Sequence, residues 1–181
     1  MKFSFNVNLT DEDYLEYNKF CIVRSPYGKK QITTFRTTIA VIFSVFILIS
    51  LLCGGFSLDS FIKIVPLLIL LIVFELCITR FFAFSIKSQI KVSKKSGKLA
   101  YSPSSVIEFY DDKLIETTAD NKVEQQYSAI ERISIVDNKM IYIQVNNAMA
   151  FILPISCFES KEQFNSFFEF TRTKFDNIDI Y

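Results

Sequence analysis

A chain of 181 residues holds one domain of ordinary size plus a membrane anchor, and not much more. It contains no histidine, which removes the commonest general base and the commonest metal ligand. Its net charge of +1 and its 50% apolar content are both unevenly spread, and that unevenness organises the chain.

The opening residues alternate, with Phe3, Phe5, Val7 and Leu9 on one side and Ser4, Asn6 and Asn8 on the other, which predicts a strand with one buried face. An isolated strand of this kind needs a cover, and it is expected to add over Lys2–Asn8 to an edge of a C-terminal sheet. Thr10 then caps a helix whose first turn holds Asp11, Glu12 and Asp13, where the helix dipole favours acid. Ser25-Pro26-Tyr27-Gly28 is read as its end.

From Thr37 to Leu58 no residue is charged, and from Ile64 to Phe84 only Glu75 and Arg80 interrupt the apolar run. A spanning helix needs about 20 apolar residues. Two spans are predicted, at about 37–57 and 61–84, joined by a turn at Gly54-Gly55 and Ser57 to Ser60. A signal peptide followed by a soluble core helix is the competing reading. It fits poorly, because the first apolar run follows a polar segment too long for a signal sequence.

Lys19, Arg24, Lys29, Lys30 and Arg36 precede the first span, and Arg80, Lys87, Lys91, Lys94, Lys95 and Lys98 follow the second. The connecting loop has only Lys63, so the positive-inside bias places both termini in the cytosol. Cys53 and Cys77 fall within the spans and Cys21 and Cys157 are isolated; without a C-x-x-C pair, each is expected to be a buried apolar thiol.

Pro66 is placed near the start of the second span. The basic stretch after Phe84 is expected to prolong that helix for a few turns, with Ser96-Gly97 as the stop. Six short strands then follow, at Ser104–Tyr110, Leu114–Thr118, Lys122–Tyr127, Arg132–Val136, Met140–Val145 and Ala148–Pro154. Asp111-Asp112-Lys113, Asp120-Asn121, Asp137-Asn138-Lys139 and Asn146-Asn147 supply the turn chemistry between them. A last helix opens at Ser160 with Gln163 completing a capping box, and carries Phe164, Phe167, Phe168 and Phe175 on its apolar stripe. Its phenylalanines are expected to plug the sheet near Ile141, Ile143 and Ile152. The predicted class is an α+β membrane protein: a two-helix transmembrane hairpin plus a cytosolic antiparallel β domain. That domain is a half-open barrel or strongly bent sheet closed by a C-terminal helix, as in pleckstrin-homology (PH) domains. The segments are 1–36, 37–84, a basic juxtamembrane linker 85–103, and the PH-like domain 104–181.

The stretches "LTDEDYLEYNKF", "VIEFYDDKLIETT", "YSAIERISIVDNKMIYIQV" and "FILPISCFESKEQF", in this order around two spans, resemble the YcxB-like family of bacterial membrane proteins. The resemblance covers nearly the whole chain. It implies a two-span anchor with a cytosolic PH-like domain and brings no catalytic residues with it.

No phosphate-binding loop, dinucleotide fingerprint or nucleophile elbow is present, and Asp111-Asp112 reads as a solvated turn rather than a catalytic pair. No enzymatic activity, catalytic residue, metal site or cofactor is expected. Glu75 is the most informative residue, since an intramembrane carboxylate is costly and usually faces protein or water. It is expected to face the first span near Val41, contacting a hydroxyl such as Ser44 or a backbone carbonyl, or reaching back to Arg80. Lys29, Lys30, Arg36, Lys87, Lys91, Lys94 and Lys95 are candidate contacts to anionic lipid. The basic stretch after the second span has no interleaved aromatic residues, and nucleic acid is not an expected partner. The function expected is a non-enzymatic binding or regulatory module at the inner face of the bacterial cytoplasmic membrane, with an unidentified protein or lipid partner. The alternative is an oligomeric transport or channel subunit using Glu75.

Overall fold

The computed structural model describes the chain apart from residues 56, 57, 98, 100, 147 and 148, and gives the backbone alone at 54, 58–61, 63 and 79. The predicted turn residues Ser57 and Asn147, the strand start Ala148 and the basic residue Lys98 therefore lie outside the described residues. The chain divides into a β unit, Met1–Tyr17 with Gly97–Tyr181, and a helical unit, Asn18–Ser96.

In the β unit, β1 (Phe3–Asn8) joins β2 (Ser104–Phe109), β3 (Lys113–Thr118) and β4 (Lys122–Gln126) in one antiparallel sheet, in that order. The predicted pairing of the N-terminal strand is thus present, with Phe3 opposite Phe109 and Val7 opposite Ser105. A second sheet, ordered β7-β6-β5-β8, contains β5 (Arg132–Val136), β6 (Met140–Gln144), β7 (Ala150–Pro154) and β8 (Ile178–Ile180). The half-open barrel or strongly bent sheet expected from six strands and the added N-terminal strand is seen as two four-stranded sheets. The member that the sequence reading lacked is β8, which runs parallel to β5.

Turn chemistry sets the registers. Asp137 and Asn138 both adopt φ of 51° and Lys139 N–H donates to Val136 O at 3.0 Å, so a three-residue connection with two left-handed residues brings Val136 opposite Met140. Thr118 and Asn121 close the β3–β4 turn reciprocally through the Thr118 hydroxyl.

The inward faces of both sheets form one core containing Phe5, Val7, Ile107, Phe109, Ile133, Ile141, Ile143 and Leu153. Helix α4 (Lys161–Lys174) closes it. Ser160 Oγ accepts from Gln163 N–H at 3.2 Å, while the Gln163 side chain accepts from Glu159 N–H at 2.7 Å, one residue earlier than in the predicted box. Of the four phenylalanines expected to face the sheet, Phe167 and Phe175 enter the core, Phe167 most deeply. The Phe167 ring lies 4.9–5.4 Å from those of Phe3, Phe5, Phe109 and Phe158, mostly edge-to-face. Phe164 and Phe168 stack on each other half-buried, with the Arg172 guanidinium over Phe168, and Ile152 is buried outside this core cluster.

Helix α1 (Asp11–Lys19) opens on the predicted cap, where Thr10 Oγ1 accepts from Asp13 N–H and Thr10 N–H donates to the Asp13 carboxylate. Its tyrosines fix it to the β unit. Tyr17 meets Tyr142 edge-to-face at 5.1 Å, and Tyr14 stacks on Tyr101 at 4.9 Å.

The helical unit begins with a single π-helical turn, Phe20–Arg24, and then α2 (Pro26–Gly54) and α3 (Leu58–Lys95). Ser25-Pro26 starts α2 eleven residues before the predicted span. Ser25 is its N-cap and accepts from Gly28 N–H at 3.0 Å, and Pro26 takes the first helical position, where its missing N–H costs nothing. Gly28 is dictated by packing: a Cβ there would lie 2.0 Å from Cys21 O and 2.3 Å from Ile22 O. Helix α3 starts earlier than its predicted span and continues through the expected basic linker to Lys95, stopping at Gly97 with φ of 71°. Pro66 consequently lies inside the helix rather than in its first turn. The axis of α3 bends by 54° between Ile64–Ile78 and Arg80–Lys95.

Candidate functional site

Helices α2 and α3 pack against each other as a hairpin, and Ile32, Ile64, Ile78 and Ile86 are buried along them. Phe35 sits between Phe74 and Phe82, at ring distances of 5.9 and 6.3 Å. Beside it, Arg36 Nε lies 3.0 Å from Glu75 Oε2. The carboxylate therefore faces the first helix, as expected, but its partner is neither a hydroxyl nor Arg80. The reason is register. Arg36 lies about as far before the end of α2 at Gly54 as Glu75 lies after the start of α3 at Leu58, whereas the expected pairing near Val41 takes Arg36 and Arg80 to lie level.

Ser44, the hydroxyl expected near Glu75, is already engaged, as are its neighbours on the same helix. Thr37, Thr38 and Ser44 donate to the carbonyls of Thr33, Thr34 and Ala40 on their own helix at 2.8–2.9 Å. Arg36 Nε–H does not point at the carboxylate oxygen it neighbours, so the contact is an ion pair without an aligned hydrogen bond. Both side chains keep about two fifths of their surface open, 43% for Arg36 and 36% for Glu75.

The other basic candidates remain at the hairpin's open end. Lys29 and Lys30 lie in the first turn of α2, and Lys87, Lys91, Lys94 and Lys95 in the last turns of α3, all exposed. Positions 87, 91 and 94–95 recur at helical spacing and share one face of α3. Arg80 is exposed at the bend, and the cation beside Glu75 is Arg36. Cys53 and Cys77 are exposed on the helices rather than buried, while Cys21 and Cys157 are half-buried, and burial pushes the Cys157 thiol up. Among the described residues, no group of three or more His, Cys, Asp or Glu side chains could hold a metal ion.

Two polar placements in the β unit escaped the sequence reading. Tyr101 donates its hydroxyl to Asp11 Oδ1 at 2.7 Å, and burial together with that carboxylate pushes its pKa up to about 12. Glu116 lies on the core face of its strand, opposite Ile107 and Val123. Burial pushes its carboxyl up, opposed by the nearby Ser105 hydroxyl, whose fully buried oxygen makes no well-formed hydrogen bond. The alternation Leu114, Glu116, Thr118 carried the signal, and an acid in an otherwise inward row was its mark.

Residues 109–171, from the end of β2 into α4, match a family model described as YcxB-like protein. That is the family this chain resembles. The match spans about a third of the chain, less than the near-complete resemblance read from the sequence motifs, and leaves β1, the hairpin and β8 outside it. No curated protein and no solved structure matches the chain.

Helix α2 is long and apolar enough to cross a membrane, and none of its most apolar stretch is buried inside the molecule. The bent α3 meets the same criterion when its two halves are taken together.

Proposed function

We propose that this chain is a membrane-anchored, non-enzymatic PH-like module that binds a protein or lipid partner at the inner face of the bacterial cytoplasmic membrane. The observation that carries this reading is the pairing of β1 with β2. Strands from either side of the helical unit belong to one sheet, so a chain that enters a bilayer between Asn8 and Ser104 must also come back. The crossings are two or none. The exposed apolar surface of α2, including Val45, Phe46 and Leu52, favours two. Helix α3 is then the return path despite its bend. Lys29, Lys30, Lys87, Lys91, Lys94 and Lys95 fall at one end of the hairpin, which supports a cytosolic location for that end and for both termini. The order β1–β4, β5–β7, α4 supports a PH-like β unit.

On this reading Arg36 serves Glu75 rather than lipid, and the lysines are the residues nearest an anionic leaflet. The transport alternative has less support, because the carboxylate it would use is already matched by a cation. Purified full-length protein, measured for oligomeric state in detergent and for proton and cation flux in liposomes, tests the choice. A monomer or dimer without flux is expected. A higher oligomer whose flux is abolished by Glu75→Gln would reverse it.

A further inference from the structure

The edges of the two sheets are protected in different ways. Strand β4 carries Lys122, Glu124, Gln125 and Gln126, and β7 ends on Pro154, devices that discourage another chain from pairing. Strand β5 has only Arg132 before the run Ile133-Ser134-Ile135-Val136, and all four of those residues are buried. A sequence of that kind, left as an edge, recruits strands. What covers it is β8, three residues long and parallel, whereas β6 on its other side pairs antiparallel over five residues.

The cover is read by β5 through three features. The backbone bonds run from Ile133 N–H to Asn177 O at 2.9 Å, from Tyr181 N–H to Ile135 O at 2.8 Å and from Asp137 N–H to Tyr181 O at 3.0 Å. Ile178 packs half-buried on the core, while Ile180 is 68% exposed. Arg132 forms an ion pair with Asp179. The rest of the sheet does not depend on this tail, because Ile133 and Ile135 are fixed by the core and by β6. Upstream, Phe175 is anchored edge-to-face on Tyr127 at 5.0 Å, so only Asp176 and Asn177 separate a fixed residue from β8.

We propose that the β5 edge is a strand-acceptor site and that β8 is its resident occupant, which an extended segment of a partner protein replaces. The incoming segment runs parallel to β5, sets an acidic residue against Arg132 and a β-branched apolar residue in the place of Ile178. This is recognition by strand addition, with backbone bonds giving affinity and alternate side chains giving selectivity. A second copy's tail has the right chemistry but not the reach. Two residues span roughly 7 Å when extended, too little to leave one β5 and cover another unless the two edges are pressed together. The proposal rests on the binding-module reading of the β unit and not on the membrane anchor.

The test uses the full chain in detergent, with and without residues 178–181, and a fluorescent synthetic peptide with the sequence of residues 175–181. The truncated chain is expected to bind the peptide saturably and at least tenfold tighter than the intact chain. A peptide with lysine in place of its aspartate at position 179 should lose that gain, and Arg132→Glu in the truncated chain should restore it. A truncated chain that melts cooperatively yet takes up no peptide overturns the proposal. Should truncation prevent folding, intact chain carrying Asp179→Lys is expected to bind the unaltered peptide better than the parent does, and no gain there overturns it equally. A tail-dependent dimer that excludes the peptide would assign the edge to a second copy instead. None of these readouts depends on topology or flux, so the membrane reading stands or falls separately.

Discussion

In the β unit, Phe5, Ile107, Phe109 and Phe167 are 2% exposed or less, whereas in the helical unit Leu52, Leu76 and Phe84 are 72–75% exposed. The same side-chain chemistry is folded inward in one region and outward in the other. Water around the first and hydrocarbon around the second give one explanation for both, since an apolar surface is costly only where water meets it. The polar groups invert in step. Charges lie mostly on the surface of the β unit, while in the apolar hairpin Arg36 and Glu75 lie against each other.

The largest expected effect is from removing the strand that ties the two ends of the chain together. Deleting residues 2–8 takes away Phe5 and Val7 and leaves the Phe109 edge bare, so the β unit should lose cooperative thermal melting. An unchanged melting temperature would separate β1 from the fold and remove the argument for an even number of crossings.

A pair of truncations sharpens the contrast between the two interiors. Phe167→Ala should cost about 3–5 kcal/mol, the usual range for emptying a core aromatic site. Leu76→Ala, on the outer surface of α3, should stay within about 0.5 kcal/mol in micelles. Phe168→Ala should fall between them, because that ring is half-buried under Arg172. Equal losses at positions 76 and 167 would mean that the hairpin surface is packed against protein.

The ion pair gives a smaller effect. Glu75→Leu should destabilise the hairpin by about 1 kcal/mol, the upper range for a partly open pair, and adding Arg36→Leu should recover most of it, because the unmatched cation is removed. Glu75→Gln should fold normally. A double variant worse than either single one would contradict the pairing.

Glu116 gives the smallest. Burial raises its folded pKa above the unfolded value, so the associated stability is present at pH below the unfolded carboxyl's range and is lost as pH rises through the folded value. Above the folded value the carboxylate is charged on the core face, and Glu116→Gln should raise the melting temperature slightly there while flattening the acid-side pH dependence. A fall in melting temperature in that range would show that the charge has a favourable partner.

How much was legible in the sequence followed the range of the forces involved. The β2 to β7 boundaries came within one or two residues wherever they were described, because Asp-Asn turns and alternation are local signals. The pairing of β1 was legible from its uncovered apolar face. The start of α2 was misplaced because Ser25-Pro26 can end one helix and cap the next, and it does both. Strand β8 was missed since three residues carry no periodicity and their partner lies some 45 positions away in sequence. At the candidate site, both Arg36 and Glu75 were singled out, but their contact depends on where the hairpin turns, which charge flanks alone do not specify.

On the proposed reading, α2 and α3 cross a bilayer as a pair, with both ends of the chain on the same side. Single cysteines at Ser57, Ser96 and Asp120, introduced after the native Cys21, Cys53, Cys77 and Cys157 are replaced by serine, can be probed in intact bacterial cells with a membrane-impermeant thiol reagent. Labelling at position 57 from outside, with positions 96 and 120 reached only after permeabilisation, is the expected result. Labelling of position 96 or 120 in intact cells, or of position 57 only after permeabilisation, would contradict it.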